Sequence, residues 1–429
     1  MMPEPGGVVG GGLALAIGAL FGWSLERVVG AWLAACEREW GGATATPGAA
    51  VGRPAHPHRV AVAFALATVA LWWWEVHALG LLPRGPDGPV GGAAVPVVIR
   101  WLAHVVLLWL LSAATWIDFR FRVIPDWITV SGFLAGLAAV WAWPEVLLPV
   151  SSLRAREFAA ALEVPAVLGW AGPLEVTPER LVPRSPGALL AALGLFTTWW
   201  WVATGPADRF ADPGGPEADA AGPASDGQGP AEPSIGAGSD RWRTALLVIG
   251  GAGVALAWWW GGVRFAALQS SLVGAVVAGG LVWATRAGAS LALGREAMGL
   301  GDVTLMAMVG AWLGWQACVL GCFLGVLVGL VHGLRQLAGG HGSELPFGPS
   351  LCAGVVLVVA GWRGAWGLTR ASFAKPGRMA AVLLAVVVGT ALSLLVWTRL
   401  PGPARRAVLV ATLLLLALLV AAVTAFGGL

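Results

Sequence analysis

The chain has 429 residues, of which 58% are hydrophobic and only 11% charged, against about 25% charged in ordinary soluble domains. Its 26 basic and 23 acidic residues leave a net charge of +3, too small a surplus to argue for nucleic acid. These proportions exclude a water-soluble globular enzyme, a disordered chain and a secreted disulfide scaffold. At about 20 apolar residues per span they predict an all-α, polytopic membrane bundle of roughly 10–12 transmembrane helices.

The chain contains no Asn, no Tyr and a single Lys, Lys375, while Ala, Gly, Arg and Trp abound. That bias looks like a GC-rich coding sequence, so the 26 Trp are not read as a binding signature. Cys36, Cys318, Cys322 and Cys352 show no C-x-x-C spacing and read as small membrane-core residues.

In chain order, the first apolar run is Gly7–Trp23, which lacks a basic n-region and a clear cleavage site and reads as a retained helix. Arg27–Arg59 is polar and is expected to be a loop. Spans follow at Val60–Leu82, Ala94–Trp116 and Trp127–Trp143. Residues 144–186 read as an extramembrane excursion, and Ala188–Thr204 as the next span. Gly205–Asp240 carries seven acidic residues among Gly, Pro and Ala and reads as a disordered linker. Thr244–Gly262 and Ala266–Thr285 are two more helices. Val303–Leu334 is broken near Gly314-Trp315, and Ser350–Trp366, Met379–Trp397 and Ala407–Phe426 complete about twelve spans.

Even numbers of crossings put Asp118 and Asp302 on one side. Arg27, Arg38, Arg53, Arg59, Arg120, Arg122 and Arg295 make that side cytoplasmic by the positive-inside rule. The basic loop 363–378 falls on the other side by the same count, against the rule. Within the spans, Glu75 and Arg100 lie on consecutive helices and are expected to pair, with His77 and His104 beside them.

An ionisable group at a membrane boundary is costly unless it is used. Asp118 ends one apolar run, and Asp302 opens another within Gly299-Leu-Gly301-Asp302. Two carboxylates on one membrane face suit an aspartic protease, in which one ionised Asp takes a proton from water while its protonated partner polarises the scissile carbonyl. The competing reading is that each Asp caps a helix N-terminus, and Asp126 is expected to be such a cap.

The stretch Asp118-Phe-Arg-Phe-Arg-Val-Ile-Pro125-Asp126 resembles the first motif of the type IV prepilin peptidases. Arg295-Glu296-Ala-Met-Gly299-Leu-Gly301-Asp302 resembles their G-x-G-D motif, and Glu344-Leu-Pro346-Phe-Gly348-Pro349 their downstream Pro-Phe-Gly-Pro loop. The resemblance covers residues 95–143 and 245–360. It implies a catalytic dyad of Asp118 and Asp302, supported by Pro125, Asp126, Gly299, Gly301, Pro346 and Gly348, with Glu296 as a candidate contact for a basic leader. The implied reaction is removal of the basic leader of prepilin or pseudopilin precursors at an inner (cytoplasmic) membrane, with no metal or other cofactor. S-adenosylmethionine would enter only if the N-methyltransferase activity of many family members is retained.

Thr304 stands where the family carries Lys, and Cys36 with His56 and His58 is all that echoes the family's paired cysteines. The expected organisation is an N-terminal, degenerate methyltransferase-like region (1–93), the first half of a peptidase core (94–143), an insertion (144–243), the second half of the core (244–368) and C-terminal membrane helices (369–429). Alternatives from other classes are a non-catalytic assembly partner and a proton-coupled transporter, although both aspartates sit at helix ends and no internal repeat supports transport.

Overall fold

The computed structural model describes residues 5–40, 57–81, 84–85, 88–89, 94–148, 186–205, 239–294, 298–338, 347–373 and 376–399. Among them helix dominates, because apolar segments with no water to satisfy their backbone must close their hydrogen bonds internally. The helices are α1 (Pro5–Trp40), α2 (Pro57–Trp72), α3 (Ala94–Phe121), α4 (Asp126–Ala142), α5 (Pro186–Thr204), α6 (Ser239–Trp260), α7 (Gly262–Leu293), α8 (Leu300–Leu313), α9 (Trp315–Ala338), α10 (Gly348–Phe373) and α11 (Pro376–Arg399). One two-residue antiparallel pair, β1 (Arg84–Gly85) with β2 (Gly88–Pro89), turns the chain between α2 and α3. Nine of the helices are long and apolar enough to cross a membrane, while α4 and α8 are shorter.

The centre of the bundle is α8, every residue of which from Asp302 to Leu313 is buried. A helix apolar all round can hold only such a position. Its neighbours approach through glycine, as membrane helices do when dispersion has to replace the hydrophobic effect. Gly310 of α8 and Gly274 of α7 stand so close that a Cβ on either would collide with the other's backbone carbonyl. On the α4 side, a Cβ at Gly136 would lie 2.9 Å from the Trp312 ring, whose Nε1 donates to the Gly132 carbonyl at 2.9 Å. Gly314, at φ +81°, ends α8 and lets α9 begin at Trp315, the break expected there.

The helices alternate between two ends. At one, the end of α3 and the starts of α8 and α10 meet around Ile124. At the other, Trp141 of α4 packs on Trp260 of α6, Trp315 of α9 on Phe373 of α10, and Arg100 Nε donates to the Glu145 carbonyl at 2.7 Å. Exposed Trp73, Trp143, Trp259 and Trp260 ring this far end, the place tryptophan takes at a membrane interface. Asp118 and Asp302 share the near end, as the even crossing number required.

Several expectations change. The loop expected from Arg27 begins only after Trp40, because α1 runs on for 36 residues. Its charged turn is used: Glu26 Oε1 accepts from the Ala61 amide of α2 at 3.1 Å, and Arg27 lies over the Trp23 ring at 4.3 Å. Pro144 does not open an extramembrane excursion at once. A 3-10 turn follows, and Val146, Leu147 and Leu148 are buried against the bundle. Much of the expected loop 363–378 is helical, since α10 continues to Phe373. Glu75 makes its direct contact with His104 (Nδ1 to Oε1, 2.6 Å), while Arg100 lies within electrostatic reach of Glu75 and gives its Nε hydrogen bond to the Glu145 carbonyl. Residues 206–238 of the expected linker Gly205–Asp240 and the span 407–426 lie outside the described residues, and Ser239 and Asp240 already belong to α6.

Before the expected linker, α5 packs into the bundle. Phe133 stacks on Trp199, and Gln269 Nε2 donates to the Ala188 carbonyl at 3.1 Å.

Candidate active site

Asp118 lies in the last turn of α3, so it caps no helix N-terminus. A carboxylate there opposes the helix dipole, at a cost of a few tenths to about 1 kcal/mol. After Phe121 the chain reverses through Arg122, whose φ of +58° is left-handed. The Arg122 amide donates to the Asp118 carbonyl at 2.9 Å, closing α3 in the way a C-terminal glycine usually does. Without a glycine the turn costs about 1–2 kcal/mol.

The reversal brings Ile124 back beneath Asp118, where it wedges the three motifs together. A Cβ on Gly301 would lie 3.0 Å from the Ile124 Cβ, and one on Gly348 would lie 3.0 Å from its Cδ1 and 2.6 Å from Asp118 Oδ2. Gly301 of the second motif and Gly348 of the third are therefore places of close approach. Gly299 is different: it is the N-cap of α8 at φ −67°, with open space around its Cβ position, so the unusual backbone angle that a glycine permits is not used there.

Asp302 occupies the third position of α8, where the helix N-terminus favours a negative charge. It and Asp118 are both buried, at 7% and 6% exposure, and each carboxyl lies within electrostatic reach of the other. Arg122 is the cation whose field reaches Asp118, and the Gly348 amide is the backbone group that acts on its carboxyl. Asp118 Oδ2 has no hydrogen-bond partner among the described residues. Two buried carboxyls within each other's field do not readily ionise together. Such a pair can keep one proton and so offer an acid and a base, which activating water against a carbonyl requires.

Pro125 is buried and is itself the N-cap of α4, whereas Asp126 is exposed and one position further in. Asp126 is therefore not the cap expected of it. Glu296 and Pro346 lie outside the described residues. Thr304, where the family carries Lys, is buried and its hydroxyl donates to the Gly301 carbonyl at 3.1 Å, so it brings no charge to the site.

Two residues passed over as sequence belong here. Cys352, one turn after Gly348, is buried, hydrogen-bonded with Thr115, and within electrostatic reach of both aspartates. The signal was its spacing: Thr115 precedes Asp118 by three residues and Cys352 follows Gly348 by four, both same-face offsets. Arg286 of α7 is the other, donating from Nε to the Met298 carbonyl at 2.7 Å. Among the described residues no three His, Cys, Asp or Glu side chains gather as a metal site.

A family model, that of the type IV leader peptidase family, matches residues 240–334. That segment bears the resemblance out. It contains Gly301 and Asp302, while Asp118 and Gly348 lie beyond it. The prepilin leader peptidase/N-methyltransferase of Stutzerimonas stutzeri is 42% identical over 101 residues, 23% of this chain and 33% of that protein. The protein of the same description from Pseudomonas aeruginosa is 41% identical over 101 residues, with the same two shares. That of Aeromonas salmonicida is 38% identical over 112 residues, 24% of this chain and 36% of its own length. The chain thus spans about a third of the relatives it matches. No solved structure matches it.

Proposed function

We propose that this chain is a membrane aspartic endopeptidase that removes the basic leader of type IV prepilin-like precursors at the cytoplasmic face of the inner membrane. Asp118 and Asp302 form the dyad and act through an activated water. The observation that carries the reading is the meeting of two buried carboxyls from separate helices at one end of the bundle. Ile124, Gly301 and Gly348 hold them there. Precursors would approach within the bilayer, and their hydrophobic helices would bring the leader to the site. The peptidase needs no cofactor in this reading. S-adenosylmethionine is required only if the methyl transfer named for the relatives is retained.

The test is cleavage of a co-expressed prepilin-like precursor by wild type, Asp118→Asn and Asp302→Asn, read from the mass of the product N-terminus. The expected result is cleavage by wild type and loss in both variants, each still folded in the membrane. Cleavage that survives either substitution would overturn the dyad. An added methyl group would appear in the same spectrum.

A further inference from the structure

The face of α7 turned to α8 is a stripe at helical spacing: Ala275, Ala278, Val282 and Arg286, all buried. Its contact with α8 is fixed by Gly274 against Gly310 and by Gly279, whose Cβ position lies 3.1 Å from Ala307 and 3.3 Å from the Val303 carbonyl. One turn beyond Val282 this stripe places an arginine, 8% exposed, in a membrane span. A buried charge in such a span is expensive and marks a task.

The Nε of Arg286 donates to the carbonyl of Met298, the residue before the α8 N-cap. That cap is Gly299, which offers no side-chain oxygen to the first-turn amides. The entry to α8 is therefore set from outside the helix. Ile124 packs against Gly301 on one side, and Arg286 holds Met298 on the other. Asp302 follows Met298 by four residues, about one turn, so the angle at which α8 begins sets where its carboxyl stands relative to Asp118.

We propose that Arg286 is the positioning residue for Asp302. A planar, permanently charged guanidinium suits the task, because its fork fixes a direction as well as a distance. The inference rests on the reading of Asp302 as one of the dyad, yet its structural half is separable from that reading.

The test compares wild type, Arg286→Gln and Arg286→Lys in lipid nanodiscs, with two readouts. Amide hydrogen exchange over residues 298–304 is expected to quicken by about tenfold in Arg286→Gln, with α9 unchanged and Arg286→Lys intermediate. Precursor cleavage is expected to lose kcat by about tenfold or more in Arg286→Gln with KM little changed, and Lys to restore part of it. Unchanged exchange over 298–304 would overturn the proposal whatever the activity. Exchange that quickens throughout the bundle, with kcat and KM failing together, would overturn it by making Arg286 a general stability residue. A wild type that cleaves nothing, yet shows the local exchange effect, would instead overturn the peptidase reading and leave Arg286 as the anchor of the α8 entry.

Discussion

Gly348 presents its bare α-carbon to the carboxyl of Asp118, and a Cβ there would stand 2.6 Å from Oδ2. No ordinary Cβ–oxygen contact is that short, so the Asp118 carboxyl would have to shift. Ile124 Cδ1 stands 3.0 Å from the same Cβ position, and Cys352, hydrogen-bonded with Thr115, lies within electrostatic reach of the carboxyl. Gly348→Ala is therefore expected to displace the carboxyl by a fraction of an ångström to an ångström, costing about a hundredfold in cleavage rate. Cleavage of a prepilin-like precursor by purified protein, with the far-UV spectrum as a check on folding, decides it. A variant cleaving at wild-type rate would show that Asp118 does not act from this position.

The two motif glycines before Asp302 separate in the same assay. Gly301→Ala puts a methyl group 3.0 Å from the Ile124 Cβ, a contact relieved only by opening the wedge. Gly299 has open surroundings and an ordinary φ. Gly301→Ala should lose about tenfold or more in rate by misplacing the carboxyl. Gly299→Ala should cost only the difference between Gly and Ala at an N-cap, a few tenths to about 1 kcal/mol of stability. Equal losses in both would mean that Gly299 has a role in catalysis that its packing does not disclose.

At the far end, Glu75 and His104 bury a 2.6 Å contact at 2% and 3% exposure, with Glu75 Oε2 and His104 Nε2 unpartnered among the described residues. Removing one member leaves the other buried without its partner, at about 3–5 kcal/mol. Glu75→Leu and His104→Leu should each lower thermal stability markedly, and the double variant should be less destabilised than their sum. Additive losses would show that the contact is incidental.

How far the sequence discloses this molecule depends on the range of the interaction. Span positions and the break at Gly314-Trp315 follow from local hydropathy, and the shared end of Asp118 and Asp302 follows from counting crossings. The charged turn at Glu26-Arg27 reads as a loop because its partners, the Ala61 amide and the Trp23 ring, become visible only when α1 and α2 pack. Arg100 and His104 are four residues apart on one face of α3, so nothing in the sequence says which of them Glu75 meets. In the fold Glu75 contacts His104 directly and reaches Arg100 electrostatically. Arg286 falls just past the span expected at Ala266–Thr285, and its partner, the Met298 carbonyl, becomes visible only in the fold, whereas Cys352 carries a signal in its spacing from Gly348.

The crossing of α7 and α8 gives the most severe test of the packing. Gly274 and Gly310 face each other with no side chain between, and a Cβ on either meets the other's carbonyl oxygen. Backbone cannot yield as a side-chain tip can, so the helices must separate, and α8 is the helix that carries Asp302. Gly310→Ala should therefore destabilise the bundle by an amount typical of overpacking, about 1–3 kcal/mol, and reduce cleavage with it. Gly280→Ala, on the same α7 but in open surroundings, should do neither, and should gain slightly from the better helix propensity of alanine, by up to about 1 kcal/mol. Thermal unfolding in detergent measures both variants on one scale. If Gly310→Ala unfolds at the wild-type temperature, the close crossing of α7 and α8 is not how Asp302 is carried to Asp118.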